Sequence, residues 1–268
     1  MHILVAAKQV LDPDGVGNYA LWGRLAVDSS GRQFTVGNLV PQIINAYDAQ
    51  AMEAALRLRE AVGDCRVTAV SVGSESVEEV LKRCVAMGAD AAIQVTDPEV
   101  GKANGFRTAG LLAAVVRELG DIDLVICGRQ GSDYDQGTVP GVLAELLDAG
   151  LVTLASSITP MEGGVRVVRV SPGGEEIVEA SFPAVITVSN EFSAARYPTS
   201  RGMIDARKKR PAVWHADELA YEDSGGVEVV EVFVPDVQGH VEWIEGSSPE
   251  EKARKLFERL VGAGVFHD

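Results

Sequence analysis

The chain contains no uninterrupted apolar stretch near the roughly 20 residues of a membrane span, so no membrane insertion is expected. Cysteine is scarce. Cys65, Cys84 and Cys127 lie far apart without a C-x-x-C pair, which argues against a disulfide framework or a zinc site. Each sits in or beside an apolar run, as a buried thiol does, and a reducing compartment fits. The histidines are His2, His215, His240 and His267, none near a serine or cysteine in a recognisable nucleophile context. G-x-S-x-G, H-E-x-x-H and P-loop patterns are all missing, so no catalytic residue and no metal ligand is assigned. Cations are outnumbered: 24 Lys and Arg face 39 Asp and Glu, for a formal net charge of −15. That removes the concentrated basic face a nucleic-acid binder needs. The N-terminus runs straight into "HILVAA" without a basic region, apolar core and cleavage site, and a cytoplasmic protein is expected.

What is present is an alternation of short apolar runs with helical patterns. With 268 residues, 46% of them hydrophobic, the chain can bury a substantial core. "HILVAA" at 2–7 reads as a buried strand, and the stretch from Asp12 to Gln42 as a long connection. Met52, Ala55, Leu56 and Val62 recur near helical spacing, with Gly63 as a stop. "RVTAVSV" at 66–72 is a strand; Val77, Val80, Leu81 and Cys84 then share a helical face. "AAIQV" at 91–95 and "IDLVICG" at 122–128 are further strands, separated by the helix "TAGLLAAVVRELG". "VPGVLAELLDAG" is the next helix. Continuous apolar strands alternating with helices predict a doubly wound, mostly parallel sheet covered on both faces. Beyond residue 150, "GVRVVRV", "EEIVEASF" and "PAVITVSNE" follow closely, with "PGG" as a hairpin signal. They predict an antiparallel addition to the sheet edge and a final strand at 184–189. The main domain is set at 1–211. Residues 212–268 are read as a linker, an extended arm around "VEVVEVFV" and a helix with Ser248 as N-cap. That helix carries a stripe of Ala253, Leu256, Phe257, Leu260 and Val261, which either folds back or covers a partner subunit.

The chemistry gathers in "GRQGSDYDQGT", between the strand at 122–128 and the following helix. In a parallel α/β sheet, ligands bind beyond the carboxyl ends of strands, where a helix start offers free N–H groups to an anion. Gly137 permits close backbone approach, and Thr138 either caps the helix or bonds a phosphate oxygen. Asp133 and Asp135 would repel a phosphate, and are read as shaping the loop or reaching a ribose hydroxyl. Asn45 and Asp48 precede a helix, where capping competes with reading an adenine or ribose. "VSVGSES" is a third carboxyl-end turn. Taken one at a time these read as merely capped βα loops; three facing one crevice favour a nucleotide site more than any one alone. "RKKRP" at 207–211 is a solvated charge run or a dock for an acidic partner.

In this order the pieces resemble the beta subunit of electron-transfer flavoproteins. The motifs are "AAKQV" at 6–10, "INAYDAQAMEAALRLRE" at 44–60, "CVAMGADAAIQV" at 84–95, "LVICGRQGSDYDQGTVPGVLAELL" at 124–147 and "PAVITVSNEFSAARYPTSRGMIDARKK" at 183–209. "EGSSPEEKARKLFERLV" is similar to that family's C-terminal helix. The resemblance implies a Rossmann-like fold and a heterodimer with an alpha subunit that holds FAD. It also implies an adenine nucleotide in this subunit, either AMP or, in electron-bifurcating members, a second FAD. Carried over by motif, Ala6, Lys8, Asn45, Val72, Gly73, Asp133, Gln136, Gly137, Thr138 and Val139 line that nucleotide's site. Glu191, Phe192, Arg196 and Tyr197 fall in the segment that docks an acyl-CoA or other dehydrogenase, with Phe192 as apolar anchor. This chain has Ala46 where the family's proline usually follows the asparagine, and Thr138-Val139-Pro140-Gly141 in the phosphate loop. "KQVLDPDG", "IINAYD" and "CGRQ" lean toward the bifurcating group. The alternative of a different class is a stand-alone nucleotide-binding regulator or nucleotide-dependent transferase of the same α/β type.

Overall fold

The computed structural model describes the chain except for residues 22–23, 33, 36–39, 99–103, 222–228, 235–240 and 267–268. It divides into two compact units, Met1–Val232 and Phe233–Asp268. In chain order the first unit begins β1 (His2–Ala6), β2 (Gln9–Leu11), α1 (Pro13–Leu21), β3 (Ala26–Val27), β4 (Phe34–Thr35) and β5 (Gln42–Ile44). Next come α2 (Ala46–Val62), β6 (Arg66–Gly73), α3 (Glu78–Met87), β7 (Ala91–Thr96), α4 (Gly105–Leu119), β8 (Leu124–Gly128) and α5 (Thr138–Leu146). The unit closes with β9 (Gly150–Met161), β10 (Gly164–Ser171), β11 (Gly174–Ser181), β12 (Ala184–Val188), α6 (Ser200–Lys208) and β13 (Ala212–His215).

Nine strands form one sheet in the order β11-β10-β9-β12-β8-β1-β6-β7-β13. All pairs from β9 to β13 along that order are parallel, while β9–β10 and β10–β11 are antiparallel. The expected mixed sheet is therefore present, and β9 extends it by a strand that apolar runs do not announce. β1 lies in the middle, with Ile3 opposite both Val67 of β6 and Leu124 of β8. The chain leaves β1 towards β6 and β7, then returns to β8 on the other side of β1, which makes the β1/β8 boundary the topological switch point.

Alternation along each strand assigns side chains to the two faces. Ile3, Val5, Val67, Ala69, Ile126 and Ile186 pack in one core with α2 and α3 residues such as Met52, Leu56 and Leu81. Leu4, Val70, Val125 and Val185 pack in the other with Leu111, Val115 and Leu143 of α4 and α5. Each such fully buried aliphatic side chain contributes about 1.5–3 kcal/mol, so the switch point is anchored on both faces.

Three expectations need correction. Residues 12–42 are not simply a connection: they contain α1, and β2 pairs antiparallel with β5 immediately after β1. The boundary expected at 211/212 lies instead between Val232 and Phe233, because Ala212–His215 pairs parallel with Ile93–Thr96 as the sheet's last strand. Of the expected extended arm at 227–234, the described residues 229–234 form no strand. Ser200–Lys208, to which no element was assigned from the sequence, is a helix capped by the Thr199 side chain. In the second unit, α7 (Pro249–Gly262) has the expected Ser248 cap, whose hydroxyl accepts from the Glu251 amide. No residue of α7 is buried, and Leu256, Phe257 and Val261 are 46%, 59% and 50% exposed.

Candidate functional site

The carboxyl ends of β1 and β8 are tied together by the first turn of α2. β8 ends in Gly128, where a Cβ would strike the Asp48 carboxylate and stand 2.7 Å from Cβ of Tyr47. Glycine is required there for α2 to approach. Asp48 is 6% exposed and accepts two backbone hydrogen bonds, from the Lys8 amide at 2.7 Å and the Gly128 amide at 3.0 Å. Burial pushes its carboxyl up to about 7, against the opposing pull of those amides.

Asn45 continues the latch. Capping was one expectation for it, but its side chain makes no cap bond to α2. Instead its amide nitrogen donates to the Gln130 carbonyl at 2.8 Å, and its oxygen accepts from the Ser132 amide at 3.2 Å. Lys8 reaches across the same gap, with Nζ 2.6 Å from Asp133 and 5.4 Å from the Tyr134 ring centroid. Asp135 sits at φ 51°, with its carboxylate accepting from the Gln130 side chain at 2.7 Å. Both loop aspartates are thus engaged in holding the loop.

The start of α5 is different. Its N-cap is Gly137 in the left-handed region at φ 62°, with no side-chain cap bond. Thr138 is the first helical residue, its hydroxyl donating to the Gln136 carbonyl at 3.5 Å. The first-turn amides of α5 therefore lack a capping side chain, as an anion would require. Beside them lies the N-terminus of α4, where the Asn104 side chain accepts from the Phe106 and Arg107 amides, both at 3.0 Å. Asn104, Gly105, Phe106, Gln136 and Thr138 line a cavity of about 260 Å³. A second cavity, of about 200 Å³ near Ile122, Asp123 and Pro183, lies at the amino ends of β8 and β12, away from where α/β sheets place ligands.

The ten nucleotide-site residues expected from the sequence fall at the ends of three adjacent strands and in one loop. Ala6 and Lys8 leave β1, Val72 and Gly73 end β6, and Asp133 to Val139 join β8 to α5. Val72 and Val139 are half-buried against the α4/α5 core. Lys8, Asn45 and Asp133 are joined directly or through the loop, whereas Val72 and Gly73 make no polar contact with that group among the described residues. Sequence reasoning missed Asn104–Phe106 and Gln130. An asparagine directly ahead of a helical pattern, in "ANGFRTAG", was the available signal for the first.

The four docking residues follow β12. Glu191 is exposed, and its carboxylate accepts from the Ser189 hydroxyl, which holds it below the usual carboxylate range. Phe192 is half-buried against the α2/α3 core with the Arg57 guanidinium 5.8 Å from its ring, so it packs inward. Tyr197 is 87% exposed. Arg196 is bound to Glu53 and Glu60 of α2, at 2.7 and 2.6 Å. Burial opposes ionisation of Glu53, but hydrogen bonds from Arg196 and Arg57 outweigh it and keep its carboxyl below the usual range. Burial raises the thiols of Cys84, to about 12, and of Cys127, so neither is a thiolate at neutral pH.

Strand order, switch point and the loops gathered above it define a Rossmann-like α/β protein, a class that places its ligands beyond the carboxyl ends of the strands. The electron transfer flavoprotein domain matches residues 35–219, and the chain belongs to that family. It is 33% identical over 97% of its length, and 98% of the other, to "Electron transfer flavoprotein subunit beta" of Thermoanaerobacterium thermosaccharolyticum. It is 30% identical over 97% of its length, and 98% of the other, to "Caffeyl-CoA reductase-Etf complex subunit CarD" of Acetobacterium woodii. It is 29% identical over 99% of its length, and all of the other, to "Acryloyl-CoA reductase electron transfer subunit gamma" of Anaerotignum propionicum. These near full-length likenesses support an electron-transfer role of the beta-subunit type.

Proposed function

We propose that this chain is the nucleotide-binding subunit of a flavoprotein heterodimer. It holds an adenine nucleotide at the β1/β8 switch point, pairs with an alpha subunit carrying FAD, and passes electrons with enzymes acting on CoA thioesters. The observation that carries the reading is the uncapped start of α5 beside the α4 N-terminus, opening on a cavity of about 260 Å³. Ligand pockets for whole drug-sized molecules run to about 300–1,000 Å³, so this space suits a phosphate or pyrophosphate end, with the rest of the nucleotide over β1 and β6.

The residues present fit such a group. Gly137 and Thr138 put unclaimed amides and a hydroxyl at the phosphate end. Lys8 supplies a cation nearby, with its charge partly offset by Asp133. Asn45 and Asp48 fix the β8–α5 loop and the β1 end so that the amides stay preorganised. AMP bound there is a structural ligand, whereas a second FAD supplies a redox centre of its own. The site chemistry described is common to both, and "KQVLDPDG" and "CGRQ" lean toward the second. The partner class comes from the caffeyl-CoA and acryloyl-CoA reductase relatives. The exposed Leu256, Phe257 and Val261 of α7 offer an apolar stripe for the alpha subunit.

Co-expression with an alpha-type flavoprotein subunit tests the pairing. A one-to-one complex that is reduced by an acyl-CoA dehydrogenase and its substrate supports it. A stable, monodisperse monomer that ignores the alpha subunit and binds ATP would point to the stand-alone regulator instead.

A further inference from the structure

Arg196 is tied down more tightly than a side chain that reaches for a partner. Its Nε lies 2.7 Å from Glu53 Oε2, its Nη2 3.2 Å from Glu53 Oε1, and its Nη1 2.6 Å from Glu60 Oε1. Its backbone amide also donates to Glu53 Oε2, at 3.2 Å. Glu53 projects from the middle of α2 with its side chain only 5% exposed, so this is an inward-facing fork, not a surface pair. Arg57 adds to the same anchorage: it donates to Glu53 at 2.7 Å and to the Ser193 hydroxyl at 2.8 Å, and covers Phe192. The chain is therefore fastened to α2 at Phe192, Ser193 and Arg196. Three residues after Arg196, the Thr199 hydroxyl caps α6. Only Tyr197 and Pro198 lie between these fixed points, and Tyr197 stands 87% exposed.

We infer that Arg196 is a positioning residue for electron transfer: clamped by Glu53 and Glu60, it sets the exit of the segment from α2 and thereby presents Tyr197 to the dehydrogenase. The inference rests on the proposed electron exchange with enzymes of CoA thioesters and on the docking role that the family resemblance implies for this segment. It divides that role between a side chain that touches the partner and one that acts through it. Lysine in place of arginine keeps the charge but loses the planar fork whose separate nitrogens grip Glu53 twice while a third reaches Glu60, so the exit direction loosens while the fold keeps its cation.

The test uses the complex of this chain with its alpha-type subunit as electron acceptor, and a short-chain acyl-CoA dehydrogenase with saturating butyryl-CoA as the probe. Steady-state rates against complex concentration give KM and kcat for wild type, Arg196→Lys, Tyr197→Ala and the double variant. Arg196→Lys is expected to raise KM about five- to tenfold with kcat and bound nucleotide unchanged, since preorganisation alone is lost. Tyr197→Ala is expected to raise KM as well, and adding Arg196→Lys to it to change little more. Additive effects in the double variant, or a loss confined to kcat, melting temperature or nucleotide content, would overturn the positioning role. Should Arg196→Lys not fold, Glu60→Gln removes only the exposed arm of the clamp, and the same cycle with Tyr197→Ala applies. An unchanged KM in Tyr197→Ala, or no saturable wild-type reduction at all, would instead remove the docking reading beneath it.

Discussion

Replacing Asp48 by Asn separates the charge of the buried latch from its shape. Both Asp48 oxygens accept from backbone amides, those of Lys8 and Gly128. An asparagine oxygen can keep one of these bonds, but its NH2 group then faces the other N–H, an unpaired buried donor costing about 1–3 kcal/mol. The charge acts in the opposite sense. The folded-state value of Asp48, about 7, lies above its ordinary 3.8, so the folded state holds a proton that the unfolded chain releases between them. The contribution of this group to stability is therefore fully present below the ordinary value and is lost as pH rises towards the folded one. Between about pH 5 and about pH 8 this linkage removes about 2–3 kcal/mol from the wild type and nothing from the variant. Urea unfolding followed by circular dichroism measures both. Asp48→Asn is expected to be less stable than wild type at about pH 5, with the gap closing or reversing by about pH 8. A gap that stays constant across that range would refute the buried, proton-holding carboxyl.

Gly137→Ala should cost about 1–2 kcal/mol, because a Cβ in the left-handed region is strained, and should weaken nucleotide retention with it; differential scanning fluorimetry with added AMP reads both. Lys8→Ala is expected to lower nucleotide affinity, more strongly at low ionic strength than at high, because the lost charge is exposed and screened; calorimetry in two salt concentrations checks this. Phe192→Ala should lower the melting temperature as well as partner affinity, since the ring packs against the α2/α3 core; a variant with unchanged stability would show that the ring serves only the partner.

The sheet was legible where strands are buried on both faces. "HILVA" and "AVITV" are continuous apolar runs and β1 and β12 are buried along nearly all their length. β9 was not, because it is half-exposed at the point where the sheet turns antiparallel, with polar residues such as Ser156, Ser157 and Thr159 along it. α1 escaped notice because its two glycines, Gly15 and Gly17, and its Pro13 start resemble a turn. At the site, residue type identified the loop but not the division of labour within it. Asn45 looks like a cap and is a cross-loop tie; Thr138 looks like a cap and is the first residue inside the helix. Such roles depend on which strand ends become neighbours, and the β1/β8 adjacency joins residues more than a hundred positions apart. Glu53 and Arg196 show the same limit, since 143 residues separate them and periodicity along α2 reveals only that an acid interrupts its apolar face.

The crevice at the β1/β8 switch point is proposed to hold an adenine nucleotide. The most direct test is to denature the purified complex, identify the released nucleotides by chromatography and mass spectrometry, and count them against protein. One adenine nucleotide, AMP or FAD, is expected in addition to the FAD of the alpha subunit, with that second nucleotide depleted in Gly137→Ala. A complex that transfers electrons while releasing only one FAD and no other adenine nucleotide would contradict it.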